Sequence, residues 1–444
     1  MNTKIITPGM KLKELRKKYK IKQYELSGNY ITRNMISMIE TDKAKLNRNT
    51  AIALIDNIKK ICAEKNICYE EISLDYLLDS EENQAKNISD AFLNWLNLQG
   101  VNALNDNYSN YIKEVKIIID NYGLKNIKGD VYLKLGNIYT SCSMYNLAYN
   151  HYLISLDSYD NLFNNFSLIQ LIINLIVCCN NLKRYDESIK FSNLAFTYMH
   201  DIPLEDEFKI RYNTLISYKN LKDYDKVLNE IDFIIKDFYS ILDKDSTRNI
   251  NLLTLKGNCF KEKNLYTDAL KVYKTILSLC NDNIEMNLVT LCNILELYLY
   301  LNDSKNLNKY FNKAVFSLED YTTIEFKSYS TDIYNILGIV AIKLDKIELS
   351  KLYFNKALEY AKEFNSTNVL LSSMENLLNI AIKENDSSQI DDLKNQLLEM
   401  ISLGILTCNN MLVLKFINYY NNIEDRLTID NILKFIFKLD HCNV

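Results

Sequence analysis

The stretches VYLKLGNIYTSCSMYNLAYNHY (Val131–Tyr152) and LLTLKGNCFKEKNLYTDALKVY (Leu252–Tyr273) follow one pattern. A small residue is followed by an aromatic three places on, by a second small residue twelve after the first, and by another aromatic four beyond that. Gly136, Tyr139, Ala148 and Tyr152 fill these places in the first stretch, and Gly257, Phe260, Ala269 and Tyr273 in the second. Gly338, Ala341, Ser350 and Phe354 repeat the pattern with one aromatic replaced by Ala, while Leu295, Tyr298, Leu307 and Phe311 keep the aromatics without the small residues. A further small residue recurs seven places after the second one, as Ser155, Ala314 and Ala357. With the first position as anchor, units fall at 136, 176, 216, 257, 295, 338 and 378, a period near 40; those at 176, 216 and 378 are degenerate and rest mainly on the period. Such a period signals stacked helical hairpins, each too small to bury its apolar face unaided. Small residues let the two helices of a hairpin cross closely, and aromatics are expected to fill the space between neighbouring hairpins.

Composition agrees. The 444 residues include 9 Gly and 2 Pro, where average usage would give roughly 50 of the two together. Sheet-rich and α/β folds need many turn glycines, so the chain is expected to be nearly all helix. At 48% hydrophobic and 24% charged it can bury sizeable cores. No run of about 18 uncharged apolar residues is present to span a membrane. The N-terminal residues lack a signal-peptide apolar block, which predicts a cytoplasmic protein. Ten cysteines without a Cys-x-x-Cys pair are expected to act as buried small apolar residues. Three scattered histidines (His151, His200, His441) predict no metal site. There is no Gly-rich phosphate loop, no His-x-x-x-His and no Gly-x-Ser-x-Gly, so neither an enzyme nor a bound cofactor is expected.

Charge is uneven. The net −4 divides into +9 over residues 1–65, where 15 Lys and Arg face 6 Asp and Glu, and −13 over the remainder. A basic head on an acidic body predicts that the head meets a polyanion. Residues 7–80 read as five short helices. Thr7 caps the first, with Pro8 at the first helical position, where a missing N–H costs nothing. Leu12 and Leu15 form its apolar stripe, and Lys11, Arg16, Lys17 and Lys18 are expected in solvent. The second starts near Lys22 and Gln23 and carries Leu26, and Gly28-Asn29 makes the turn. The third opens after Thr32, with Ile36 and Ile39 inward and Arg33, Asn34, Ser37 and Met38 outward. A basic loop (Lys43, Lys45, Arg48) leads to a fourth helix around Ile52, Leu54, Ile55 and Ile58. This is a helix-turn-helix order, whose third helix enters the major groove. Gln23, beside Lys22 at a helix start, is placed to hold a phosphate. Arg33 suits guanine and Asn34 adenine. The lysines and Arg48 supply salt-dependent, sequence-blind affinity. A bundle whose lysines served only solubility would need none of this ordering.

Leu15-Arg16, Gln23-Tyr24-Glu25-Leu26-Ser27 and Ile36-Ser37-Met38-Ile39-Glu40 resemble the XRE/Cro-type repressor family. The interval from Gln23 to Glu40 is one residue shorter than in the commonest members, similar to the PlcR-like peptide-pheromone receptors. Lys22 departs from the pattern, standing where Thr or Ser usually caps the helix. The repeat resembles the tetratricopeptide repeat, lengthened by about six residues per unit, over about residues 128–400. Residues 88–127, with the lone Trp95, read as an additional hairpin. The implied organisation is all-α: a helix-turn-helix domain over residues 1–78, a helical linker over 79–90, a right-handed α-solenoid of tetratricopeptide-like hairpins over 91–404, and closing helices with a polar cap over 405–444.

In tetratricopeptide solenoids the residue after the anchor, and the one four before that, point into the concave groove. The resemblance therefore implies a peptide-binding set of Asn137, Asn213, Asn258, Asn335 and Asn379, with Asn174, Asn293 and Asn376 close by. An amide offers both donor and acceptor to a peptide backbone. The chain holds 57 Asn in 444 residues, so about one position in eight carries one by chance, against five of the fourteen groove positions.

Head and body together resemble the RRNPP family (the PlcR, PrgX and Rgg group), cytoplasmic receptors for short signalling peptides in quorum sensing. The resemblance implies a homodimeric transcription regulator that binds double-stranded, palindromic operator DNA and a short linear peptide. Rap-like members, which act on response-regulator phosphorylation, carry a helical bundle in place of this head. A rival reading keeps the DNA-binding head and gives the repeats a folded protein partner, in an antirepressor or scaffold role. Phage-type peptide receptors share the architecture.

Overall fold

A computed structural model describes residues 3–28, 31–159, 166–199, 201–280, 283–322, 328–408 and 410–442. Among these residues the chain forms 24 α-helices and no strand, in two compact units, residues 1–222 and 223–444.

In the first unit, α1 (Pro8–Lys18), α2 (Gln23–Leu26), α3 (Arg33–Glu40), α4 (Arg48–Glu64) and α5 (Leu74–Leu78) make the head. Three of its helix starts are capped by side chains, as their sequences require: Thr7 Oγ1 accepts the Met10 N–H at 3.0 Å, Thr32 Oγ1 the Met35 N–H at 3.3 Å, and Asn47 Oδ1 the Thr50 N–H at 2.8 Å. Leu12, Leu26, Ile36, Leu54 and Ile58 are fully buried at its centre. Three expectations for the head do not hold. Ile52 is exposed. Lys11 is buried, donating to the carbonyls of Tyr76 and Asp79 at 2.9 Å each. Arg16 is held by Glu40. Asn29 of the expected turn lies outside the described residues, as does His200.

The first unit continues with α6 (Glu81–Gln99), α7 (Ser109–Asn121), α8 (Lys125–Ser141), α9 (Tyr145–Ser158), α10 (Phe166–Asn181), α11 (Tyr185–Tyr198) and α12 (Leu204–Asn220). Helix α6 runs unbroken through the position, 90/91, where a linker was expected to give way to the repeats. It pairs with α7 around Trp95, which stacks on Phe92 at 5.6 Å and meets Tyr108 and Tyr111 edge-on at 5.1 and 5.3 Å.

The second unit comprises α13 (Tyr224–Asp237), α14 (Tyr239–Lys244), α15 (Ser246–Glu262), α16 (Tyr266–Leu279), α17 (Ile284–Tyr300), α18 (Ser304–Thr322), α19 (Ser330–Lys343), α20 (Ile347–Glu363), α21 (Thr367–Glu384), α22 (Ser387–Ser402), α23 (Met411–Asn422) and α24 (Arg426–Cys442). From α15 to α22 each hairpin packs on the next, sharing one continuous core. Six of the seven anchor positions fall on the first helix of a packed pair, 136 on α8, 176 on α10, 257 on α15, 295 on α17, 338 on α19 and 378 on α21, and 216 falls on α12, the last helix of the first unit.

The small residues do what close crossing demands. A Cβ on Gly136 would lie 2.4 Å from the Tyr152 ring, on Gly257 2.6 Å from Tyr273, and on Gly338 2.7 Å from Phe354. The second aromatic thus fills its own hairpin, not the space between neighbours. The turns explain the scarcity of glycine. Ser143, Lys183, Lys222, Asn264, Asn302, Asp345 and Asn385 each take the left-handed conformation at the end of a first helix, a cost of roughly 1 kcal/mol that Asn and Asp tolerate best.

The cysteines behave as apolar fillers, with Cys62, Cys178, Cys179, Cys259, Cys280 and Cys292 buried and in no disulfide. The closing pair departs from the expected polar cap: Met411, Leu414, Ile423, Leu427 and Phe437 are all exposed on α23, α24 and the turn between them. Among the described residues no helix is long and apolar enough to cross a membrane.

A methyl group at Gly338 has to displace the buried Phe354 ring. Gly338→Ala is therefore expected to destabilise by about 1–2 kcal/mol, overpacking outweighing the better helix propensity of Ala. The loss should shrink when Phe354→Leu is added, both read from urea unfolding midpoints.

Candidate DNA-binding face and repeat groove

The head's polar interior is built on Glu40 at the end of α3. Its carboxylate, 3% exposed, accepts from Arg16 Nε at 2.5 Å and Nη2 at 2.9 Å, and from Gln23 Nε2 at 2.8 Å. Burial opposes the charge, but the hydrogen bonds from Arg16 and Gln23 outweigh it and hold the carboxyl below its ordinary range. One side chain thereby ties together α1, α2 and α3. Gln23, read as a phosphate ligand, has its amide N–H committed inward. Lys22 cannot cap α2 with its side chain, and Glu25 substitutes by accepting the Lys22 backbone N–H at 2.7 Å.

Some cations elsewhere in the head are neutralised: Lys4 by Glu14, Lys11 by Asp79, Lys18 by Glu70, Lys60 by Glu64 and Lys65 by Glu25. Among the described residues Lys13, Lys17, Lys20 and Lys59 are in no such pair, and neither are the cations of α3 and the loop behind it. Arg33, Asn34 and Met38 are exposed along α3 with Ser37 half-buried beside them, and Lys43, Lys45 and Arg48 come next in the chain, also exposed. Among the described residues the side chains of Arg33, Lys43, Lys45 and Arg48 have no hydrogen-bond or ion-pair partner. Lys22 and the exposed Tyr24, a residue the sequence reading passed over, lie at the start of α2, with the ammonium 5.8 Å from the ring. The face can offer donors and positive charge to an anionic surface.

The asparagines of the repeats group differently from a uniform row. In the first unit Asn137 Oδ1 accepts from the buried Tyr152 hydroxyl at 2.9 Å and from Asn174 Nδ2 at 2.8 Å. Asn213 donates to the Lys209 carbonyl and accepts, through its backbone oxygen, from Asn180. In the second unit Asn258 Oδ1 accepts from Tyr273 at 2.7 Å, Asn335 Oδ1 from Ser372 and Ser373 at 3.2 and 3.3 Å, and Asn376 donates to Ser372 O at 2.9 Å. Asn379 is exposed on α21, apart from these bonds. The carbonyls of Asn137 and Asn335 are thus filled on both lone pairs, and what these amides have left is N–H.

Asn258 and Asn293 come together with Thr254 on a cleft of about 440 Å³ between α15, α17 and α19. Its walls include Met286, Val289, Ile333 and Ile336, with Cys292, Glu296 and Asp332 among its polar groups. Glu296 pairs with Lys261 at 2.8 Å. Asp332 opens to solvent, yet crowding by the cleft walls, with Glu296 nearby, raises its carboxyl above the ordinary value. Glu296 and Cys292 occupy the same positions relative to anchor 295 that define Asn258 and Thr254 relative to 257. Asking only for asparagine hid them. Among the described residues no three His, Cys, Asp or Glu side chains come together as a metal site.

In comparison with known proteins, the tetratricopeptide repeat family matches residues 331–364, which span α19 and α20. No curated protein matches the chain in sequence. Among solved structures it is similar to the apo form of the quorum sensor NprR from B. thuringiensis, at 12% identity over 88% of this chain and 99% of that one, TM-score 0.50. NprR in complex with its cognate peptide NprX aligns at 16% identity over 80% and 99%, TM-score 0.37. Bacillus thuringiensis PlcR in complex with the peptide PapR7 and DNA aligns at 12% over 82% and 98%, TM-score 0.30. NprR and PlcR are RRNPP proteins. The first likeness establishes a shared fold, a tetratricopeptide-like α-solenoid. The other two superpositions are too loose to carry an argument.

Because the folded-state pKa of Glu40 lies below its unfolded value of about 4.5, its contribution is complete above that pH and is lost as pH falls through the lower folded value. Unfolding midpoints between pH 6 and 3 should show this acid-side loss. In Glu40→Gln the loss should be flattened, and stability at neutral pH should fall by about 2–3 kcal/mol, as Arg16 then faces a neutral amide.

Proposed function

We propose that this chain is a cytoplasmic DNA-binding transcription regulator whose operator affinity is set by a short linear peptide held on the first helices of its repeats. The observation that carries the reading is the division of labour along the chain. Arg33 on α3 and Lys43, Lys45 and Arg48 behind it stand exposed and unneutralised on a helix-turn-helix domain, while the acidic repeats present amide N–H groups beside a cleft. The shared fold with the quorum sensor NprR supports it. Arg33 and Asn34 meet base edges, and Lys22, Lys43, Lys45 and Arg48 meet phosphates. Since one recognition helix reads a half-site, the regulator acts as a homodimer on a palindromic operator. Amide donors on the groove suit the carbonyls of an extended peptide.

Native mass spectrometry of the protein from its own host tests this first. A small peptide released on denaturation supports the reading; a stoichiometric folded protein in its place favours the rival one. With an operator selected from random duplexes, Arg33→Ala is expected to weaken specific binding about 10–100-fold, leaving peptide affinity intact. Asn258→Ala alone would strand the Tyr273 hydroxyl, so the cleaner variant is Asn258→Ile with Tyr273→Phe. It copies the Ile339 and Phe354 arrangement that this chain already uses beside Gly338. It should fold normally and bind the recovered peptide about tenfold more weakly. Unchanged affinity would remove Asn258 from the site.

A further inference from the structure

The cleft between α15, α17 and α19 is too small for a whole peptide, since a chain of roughly five to ten residues spans about 15–35 Å, while the cleft volume is about 440 Å³. It is a subsite, and its chemistry is specific. Lys261 neutralises Glu296, but among the described residues Asp332 has no cation, so one negative charge is left over at the mouth. Behind it, Met286, Val289, Ile333 and Ile336 form an apolar wall. In that wall Cys292, only 6% exposed, has no hydrogen-bond partner among the described residues. It packs as one more apolar group of that wall. Two carboxylates without a third ligand do not make a metal site.

We propose that this cleft takes a lysine or arginine side chain of the bound peptide, its aliphatic stem against Met286, Val289, Ile333 and Ile336 and its charge on Asp332. The inference rests on the peptide reading and deepens it: amide donors hold the backbone whatever its sequence, and Asp332 selects one residue. Long cationic side chains suit such a site because they lay methylenes on apolar surface while the head stays with its counter-ion. Glu296, held by Lys261, sets the field without competing for the ligand. Burial, then the charges of Glu296 and Asp332, pushes the Cys292 thiol up, so it stays protonated and takes no ionic part.

The test uses the full-length protein and a library of N-acetylated linear hexapeptides of random sequence, the retained peptides being sequenced by mass spectrometry. Acetylation removes the α-amino group, so only side-chain cations count. Lys or Arg should be enriched about tenfold at one position. Asp332→Asn should abolish that enrichment while still retaining peptides, and Asp332→Lys should replace it with Asp or Glu. Thermal melts establish that both variants fold, as expected for an exposed residue in the first turn of α19. Retention without cationic enrichment, or enrichment that survives Asp332→Asn, overturns the subsite and leaves the peptide reading standing. Enrichment only in an unacetylated library would assign the cleft to the peptide amino terminus and overturn the side-chain assignment. Retention of nothing by the wild-type protein sinks both.

Discussion

An aromatic ring lying where a Cβ would stand is the constraint on which the repeats depend. Tyr152 against Gly136, Tyr273 against Gly257 and Phe354 against Gly338 each bring two helices to a separation that any side chain would forbid. The ring does more than lock a hairpin. In the two tyrosine units its hydroxyl extends to the residue after the glycine, Asn137 or Asn258. The phenylalanine unit has no hydroxyl to satisfy, and Ile339 comes after its glycine. Asparagine is thus present where a buried hydroxyl needs an acceptor, which accounts for part of the groove's amide content without any ligand. The same bond fixes the amide plane and so presents its N–H groups in a set direction.

This pairing shows what one sequence can and cannot disclose. The spacing of Gly257, Phe260, Ala269 and Tyr273 announced hairpins of the correct length, and even the degenerate anchors at 176 and 378 land on first helices. Period survives the loss of individual signature residues because helix packing tolerates many apolar substitutes. Which element a given ring packs against is a matter of rotation about the helix axis, and spacing does not specify it. The scarcity of glycine announced helix but gave no hint that Lys183, Lys222 and Ser143 would occupy left-handed turn positions, since tertiary packing on both sides of the turn outweighs a local cost of about 1 kcal/mol.

The head was legible for a different reason: its caps and apolar positions are local. Thr7, Thr32 and Asn47 each cap a backbone N–H only three residues further along the chain. The error lay in treating each cation by itself. Arg16 and Glu40 are 24 residues apart, and no periodicity links them, so Arg16 read as solvated. Of the cations left unpaired, Arg33, Lys43, Lys45 and Arg48 lie on α3 and just behind it, while Lys13, Lys17, Lys20, Lys22 and Lys59 lie elsewhere in the head, so pairing lowers the head's free charge without confining it to one face. Likewise Glu296 and Asp332 are not amides, although Glu296 stands one after its anchor, as Asn258 does.

The junction between head and repeats bears on how any signal could reach DNA. Ile6 and Gln84 exchange two hydrogen bonds, N–H to Oε1 at 3.1 Å and Nε2 to the carbonyl at 2.8 Å. Thr3 Oγ1 donates to Glu114 at 2.6 Å on α7, and the buried Lys11 ammonium caps the carbonyls of Tyr76 and Asp79 just before α6 begins. The segment expected to be a linker is the first part of a helix that packs in the body. A head on a flexible tether would search for DNA at an effective concentration set by tether length. A head clamped at Ile6, Lys11 and Thr3 has no such freedom, so its orientation is that of α6. Under the proposed function, control of operator binding would come from displacement of the body that carries α6, and in the proposed homodimer the separation of two recognition helices would be a property of the repeats.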